Sequence, residues 1–124
     1  MLDTQSLAII NEMGWPEGQR AGRLSWERKE RDDRGMRASL TQTAHGELLL
    51  ASSLVGDNGT QSRFQGHVRP GCAVARVNMP GLEPGDMSVV QALSLFRAHV
   101  LSMACPPVFQ PFMGGFDNPP PSRL

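Results

Sequence analysis

Residues that favour tight turns recur along the middle of this chain at intervals of about 8–12 residues, as they do in antiparallel meanders. The turn signals are Asp33-Arg34-Gly35, His45-Gly46, Gly56-Asp57-Asn58-Gly59 and Arg69-Pro70-Gly71. Between them, apolar and polar side chains alternate, which is the pattern of a strand with one buried face. The spacing therefore predicts an antiparallel meander of four or five short strands.

One of the predicted strands is apolar on both faces. The segments that read as strands are residues 24–26, 36–43, 47–51, 62–68 and 72–77. Strands that are buried on both faces read as nearly continuous apolar runs. Residues 47–51 are therefore predicted to form the central strand, and residues 80–85 to form a loop after the last strand.

A short helix is predicted at the N-terminus. Asp3 or Thr4 can cap it by accepting a backbone hydrogen bond, and Gly14 can end it. The residues that share its apolar face are Leu7, Ile10 and Met13.

The strongest helical pattern follows the predicted loop. Asp86 or Ser88 can cap this helix, and Ser88 with Gln91 fits a capping box. The apolar stripe consists of Val89, Val90, Leu93, Phe96, Val100 and Leu101. Because proline cannot continue a helix, Pro106 and Pro107 require it to stop before them. The stripe is expected to cover one face of the meander, which makes the fold α+β.

The last twenty residues form an apolar, proline-rich arm. They hold six of the ten prolines and three of the five phenylalanines, but only two charged residues. Such a segment suits neither a helix nor a central strand. We therefore predict one domain at residues 1–104 and an extended arm at residues 105–124. The arm either wraps its own domain, docks on a neighbouring subunit or another protein, or stays free. The predicted partner-binding residues are Phe109, Phe112, Met113 and Phe116.

The overall charge is balanced. Twelve basic and twelve acidic residues give zero formal net charge, so no overall field draws the chain to nucleic acid or to anionic lipid. The N-terminus has no basic leader and no apolar run long enough for a signal peptide or a membrane span. We therefore expect a cytoplasmic protein with no membrane partner, in which Cys72 and Cys105 are reduced thiols.

The densest charge in the chain lies at residues 26–37. Arg28, Arg31 and Arg34 can face a phosphate backbone there, and Trp26 is available to stack on a base. Acidic residues at positions 27, 30, 32 and 33 offset most of that positive charge. The segment is therefore only a weak nucleic-acid site, and a solvated hairpin with local ion pairs or a charged docking surface for protein is the alternative.

Few residues offer recognisable chemistry. His45 lies at a turn beside Glu47, and His67 with Cys72 can form a Cys–His pair after folding. The cysteines lack the CxxC spacing of a zinc site, and neither nucleotide-binding glycine fingerprint occurs. No catalytic residue, metal or cofactor is therefore predicted, although folding can assemble an active site from His45, His67 or Cys72.

The function expected from these features is a non-enzymatic protein-interaction or assembly subunit. It binds protein, either itself as a homo-oligomer or another chain, through the C-terminal arm. By analogy, small accessory or inhibitor proteins of bacterial viruses or mobile elements suit this description. Two alternatives stay open. One is a small-molecule-binding or enzymatic domain with a pocket between sheet and helix, and the other is a nucleic-acid-binding module that uses the hairpin at residues 26–37.

Overall fold

The computed structural model describes residues 2–31 and 34–112, which form two helices and one seven-stranded sheet. The helices are α1 (Thr4–Glu12) and α2 (Val89–Leu101). The strands are β1 (Gly22–Arg31), β2 (Arg34–Gln42), β3 (Leu48–Gly56), β4 (Gly59–Val68), β5 (Val74–Met79), β6 (Leu82–Ser88) and β7 (Val108–Pro111). Neighbouring strands are antiparallel throughout, in the order β6-β5-β4-β3-β2-β1-β7. The α+β class is confirmed, but the prediction of four or five strands is wrong.

The centre of the sheet follows the sequence pattern. β3, which contains the run predicted to be central, is the fourth of the seven strands. It joins β4 through a two-residue turn in which Gly56 pairs with Gly59. Gly59 has φ of +93°, a conformation that glycine adopts without the steric cost of a Cβ. The hairpin predicted from Gly56-Asp57-Asn58-Gly59 is confirmed.

One face of the sheet packs against the two helices. Leu40, Leu50 and Phe64 lie on that face and are almost completely buried. The α2 residue Phe96 is also fully buried, and its ring meets the rings of Trp26 and Phe64 edge-on at centroid distances of 5.8 and 5.4 Å. This aromatic cluster joins β1, β4 and α2, so it fixes α2 across the sheet.

The predicted caps of both helices are confirmed, but the predicted apolar face of α1 is partly wrong. Asp3 Oδ1 accepts a hydrogen bond of 2.7 Å from the Ser6 backbone N–H, and Ser88 Oγ accepts one of 3.1 Å from the Gln91 N–H. The first hydrogen bond lowers the pKa of Asp3, because it favours the charged carboxylate. Leu7, which we expected to face the core, is 40% exposed, whereas Ile9 is buried.

Neither helix in the described part of the chain is long and apolar enough to cross a membrane.

The sequence analysis missed β6. Most of the loop predicted at residues 80–85 lies in this strand, which pairs with β5 from Val74↔Ser88 to Met79↔Leu82. Strand β6 contains Pro84, which is unusual in a strand because proline cannot donate a ladder hydrogen bond. The strand tolerates it because β6 is at the edge of the sheet and pairs on one side only.

The sequence analysis also missed β7, which comes from the arm. Its four residues pair antiparallel with β1, from Gly22↔Pro111 to Ser25↔Val108. Pro111 again lies on an edge strand, and the Phe112 N–H donates to the Ala21 carbonyl at 3.3 Å. Residues 108–112 of the predicted arm are therefore attached to their own domain.

Candidate functional site: the uncovered face of the sheet

The face of the sheet opposite the helices has small, uncharged side chains at its centre. The strand register places Ser25 opposite Ser39, Ser39 opposite Ala51, and Ala51 opposite Gln65. The next row on this face runs from Glu27 through Arg37 and Ser53 to Ser62. No helix or strand of the described residues lies over these rows, and Ala51, Ser62 and Gln65 are exposed.

These small side chains leave a groove of about 650 Å³ in the uncovered face. The residues that line it are Ser25, Trp26, Glu27, Arg37, Ala38, Ser39, Ala51, Ser52, Ser53, Thr60, Ser62 and Gln65. Six of these twelve residues are serine or threonine, and the others include Trp26 and two alanines. We call this depression the serine groove. It can accept an apolar side chain and still offer hydrogen bonds to a polypeptide backbone.

Charged and polar pairs lie at the two ends of this face. At one end, Arg37 Nε donates to Glu27 Oε2 at 3.1 Å. At the other end, Arg23 Nε donates to Thr41 Oγ1 at 3.3 Å. His67 Nε2 also lies there, 2.6 Å from Glu47 Oε2. An uncharged centre with charges towards the edge is the arrangement of many protein–protein interfaces, whose cores are depleted of charged residues.

Two of the four predicted partner-binding residues, Phe109 and Phe112, lie within the described part of the chain. Phe109 is partly buried against its own domain, with its ring edge-on to Trp15 at 4.9 Å. Phe112 is half-buried beside Ala21, at the start of β1. Met113 and Phe116 lie outside the described residues. Val108 is 69% exposed and lies opposite Ser25, so β7 borders the serine groove.

The residues considered for chemistry do not form one cluster. His67 is paired with Glu47 on the uncovered face, whereas Cys72 lies in the loop after β4, near the start of α1. His45 is exposed in the turn between β2 and β3. No group of three or more histidine, cysteine, aspartate or glutamate side chains that could hold a metal occurs in residues 2–31 and 34–112.

A second depression, of about 560 Å³, lies between sheet and helices, where we considered a small-molecule pocket. Its lining includes Met13, Trp26, Arg97, Leu101 and Cys105, but none of His45, His67 and Cys72. The Glu12–Arg97 ion pair, at 3.0 Å, connects α1 to α2 beside it. The three residues that we expected at the edge of a pocket between sheet and helices therefore do not line this depression.

His99 is the third histidine, and it lies on α2 against the core. Its ring stacks on Phe64 at a centroid distance of 6.4 Å. Burial lowers the pKa of His99, because desolvation disfavours the charged imidazolium, and the positive charge of Arg63 adds to this effect. His99 is therefore explained as a neutral ring that packs on Phe64.

The structure separates the residues of the weak nucleic-acid site. Trp26, which we expected to stack on a base, is only 4% exposed and packs against Phe96 on the helical side. Arg28 and Arg31 are exposed near the end of β1. Arg34 forms an ion pair with Asp57, a residue of the β3–β4 turn. The aromatic ring expected at the site is therefore in the core, and part of the positive charge is neutralised across strands.

Sequence reasoning missed the serine groove. Its signal was present, since Ser25 and Ser39 fall on the polar side of two alternating segments. The adjacency of these serines depends on strand register, which alternation within one segment does not specify. No protein-family model matches the chain, and no curated protein or solved structure compared with it matches either.

Proposed function

We propose that this protein is a non-enzymatic interaction or assembly subunit that binds an extended, uncharged polypeptide segment in the serine groove. The observation that carries the proposal is the uncharged row Ser25, Ser39, Ala51 and Gln65, which lies in a depression of the uncovered face and has the Glu27–Arg37 ion pair at one end. Solvated strand faces normally carry long charged side chains, and both ends of this face do so.

The groove favours a segment that carries phenylalanine or another bulky apolar side chain. Binding sites usually take an aromatic or aliphatic anchor into a pocket, and the serine groove has the volume for one such side chain. Residues 105–124 of this chain have the required chemistry, with three phenylalanines and two charges. A second copy of the chain, or another protein with a similar segment, therefore fits as the partner.

The two alternative functions have less support. For the enzymatic alternative, the depression between sheet and helices does not include His45, His67 or Cys72. For the nucleic-acid alternative, burial of Trp26 removes the predicted stacking ring, while Arg28 and Arg31 stay exposed. Binding that weakens steeply with added salt would favour the latter.

A charge placed in the groove is the direct test of the proposal. Ala51→Arg fills the depression with a cation, and Ala98→Arg places the same side chain on the exposed side of α2 as a matched control. The probe is a synthetic peptide with the sequence of residues 113–124, which we call the terminal peptide. By calorimetry, Ala51→Arg is expected to weaken its binding at least about tenfold, an effect of roughly 1.4 kcal/mol. Ala98→Arg is expected to bind like the unmodified chain.

Two results would contradict the proposal. In one, both variants bind the terminal peptide as the unmodified chain does, so the peptide sits elsewhere. In the other, the unmodified chain does not bind the terminal peptide at all. Circular dichroism of each variant checks that the sheet is retained.

A further inference from the structure

We propose that Cys72 forms a mixed disulfide with a small thiol, whose short uncharged arm lies in a depression beside the Ser6 hydroxyl. This depression has a volume of about 220 Å³ and shares no lining residue with the serine groove. We call it the Cys72 depression, after the thiol that lines it together with Ser6 and Ser88. It is therefore a second site, and its chemistry is independent of the proposed function.

Three segments of the chain meet at the Cys72 depression. The loop between β4 and β5 contributes Cys72, whose backbone N–H donates to the Arg69 carbonyl at 3.0 Å and closes a turn. The pairing of Val74 with Ser88 holds this loop beside the start of α2. The first turn of α1 contributes Ser6. The fold therefore places an exposed thiol at the first turns of both helices.

The hydroxyl of Ser6 is the observation that points to a ligand. Ser6 is completely buried, and its Oγ has no hydrogen-bond partner within residues 2–31 and 34–112. The Ser6 backbone N–H donates to Asp3 Oδ1, but this bond does not satisfy the hydroxyl. Buried polar groups in folded proteins almost always have a partner, because they lose their bonds to water. A hydroxyl or amide group in the depression supplies the missing partner.

The charges around the Cys72 depression favour an uncharged arm. The first N–H groups of a helix have no acceptor within it, and together they act as about half a positive charge. Asp3 caps α1 with a negative charge, whereas Ser88 caps α2 with a neutral hydroxyl. In the part of the chain that the structure describes, Asp3 is the one charged side chain in the lining. Two helix starts and one carboxylate roughly cancel, so neither an ammonium nor a carboxylate arm is preferred.

The size and the walls of the depression limit the arm to a few atoms. Liquid water occupies about 30 Å³ per molecule, so the depression has room for about seven waters. Leu2, Val89 and Val90 give it aliphatic walls. An arm of two or three carbon atoms that ends in a hydroxyl or amide matches both the walls and the Ser6 hydroxyl.

The modification is a thiol–disulfide exchange. The Cys72 thiolate attacks one sulfur of a small symmetrical disulfide, so that a bond forms between Cys72 Sγ and that sulfur while the original S–S bond breaks. The other half of the small disulfide leaves as a thiolate and takes up the proton that the Cys72 thiol released. The small disulfide is the only co-reactant, and no further oxidant is consumed.

Exchange with 2-hydroxyethyl disulfide tests the inference in the full chain. Cys105→Ser leaves Cys72 as the only thiol. The matched control carries Cys72→Ser, Cys105→Ser and Ala98→Cys, which moves the thiol to an exposed position on α2. Mass spectrometry at known ratios of 2-mercaptoethanol to its disulfide gives the exchange constant of each chain. We expect the constant at Cys72 to be about tenfold larger than in the control, and Ser6→Ala to lower it about fivefold, as expected for one hydrogen bond.

Each result of the exchange decides the question. A larger constant at Cys72 that depends on the Ser6 hydroxyl supports the inference. Equal constants at Cys72 and in the control overturn it, and so does an excess at Cys72 that Ser6→Ala leaves unchanged. Cystamine and dithiodiglycolate, whose short arms are positively and negatively charged, are expected to give a smaller excess at Cys72. A larger excess with either of them overturns the choice of an uncharged arm.

A second measurement detects the Ser6 hydroxyl through stability. Before modification, Ser6→Ala in the Cys105→Ser chain is expected to leave the urea midpoint unchanged or to raise it, because the removed hydroxyl had no partner. After Cys72 is joined to the hydroxyethyl arm, the midpoint of the chain with Ser6 is expected to rise, since the arm interacts with the folded state. Ser6→Ala is expected to abolish this rise. An unchanged midpoint, or an equal rise with and without the hydroxyl, would contradict the inference.

Discussion

Replacing Phe96 with alanine is expected to lower the free energy of unfolding by about 3–5 kcal/mol. The Phe96 ring is completely buried and makes edge-on contacts with Trp26 and Phe64, which belong to the first and fourth strands of the meander. Its removal leaves a cavity between α2 and the sheet and breaks both aromatic contacts. A loss of this size is a large share of the total stability of a small domain, about 5–15 kcal/mol.

Urea denaturation followed by circular dichroism measures this loss. The matched control is Leu101→Ala on the same helix, because Leu101 is 70% exposed. The control is expected to stay within about 0.5 kcal/mol of the unmodified chain. Equal denaturation midpoints for the two variants would show that α2 does not pack on the sheet through Phe96.

Replacing Gly22 with alanine is expected to cost about 1–3 kcal/mol and to loosen β7. A methyl group at this position would lie 2.6 Å from Phe109 Cζ and 2.7 Å from the Gln110 carbonyl oxygen. The phenylalanine ring can rotate, but the carbonyl belongs to the paired backbone of β7. The strand must therefore move away from β1, which weakens the attachment of residues 108–112.

Hydrogen exchange measures where the effect of Gly22→Ala falls. Amides of β7 and the start of β1 are expected to lose protection, while those of β3 and β4 keep it. Gly56→Ala is the control, because a methyl group there meets nothing within 4 Å. Full protection of the Gln110 amide in Gly22→Ala would contradict the expectation that the added methyl group moves β7 away from β1.

The parts of the fold that the sequence predicted correctly depend on local signals. The turn between Gly56 and Gly59 needs only residues that accept positive φ, and the caps at Asp3 and Ser88 need only one side-chain oxygen near a backbone N–H. Strand β3 was predicted as central from its continuous apolar run, although Leu49 on its second face is 40% exposed. Each of these features is determined within about ten residues of chain.

The parts that the sequence did not predict depend on distant pairing. Strands β6 and β7 both contain a proline, which is unfavourable in a central strand because it removes a backbone donor. Both strands lie at sheet edges, where the second set of backbone groups needs no partner strand. Edge position is a property of the whole sheet, so no local pattern around Pro84 or Pro111 could reveal it.

The serine groove was hidden for a similar reason. Ser25, Ser39 and Ala51 lie on three different strands and become neighbours only through the register of two hairpins. A shift of one residue in either hairpin would move one side chain to the helical face. The composition of the arm showed that it is unusual. Its attachment at Gly22 was not predictable in the same way, because it depends on the close approach of β7 to β1 in the folded sheet.

If the uncovered face of the sheet binds an uncharged, phenylalanine-bearing segment, the residues of that face must respond to a peptide of this kind. A nuclear magnetic resonance titration of the terminal peptide into the full chain, with the backbone amides assigned, measures this binding residue by residue. We expect saturable shifts at Ser25, Ser39, Ala51 and Gln65, and little change along α2. Shifts confined to α1 and α2, or no saturable shifts on the uncovered face, would contradict it.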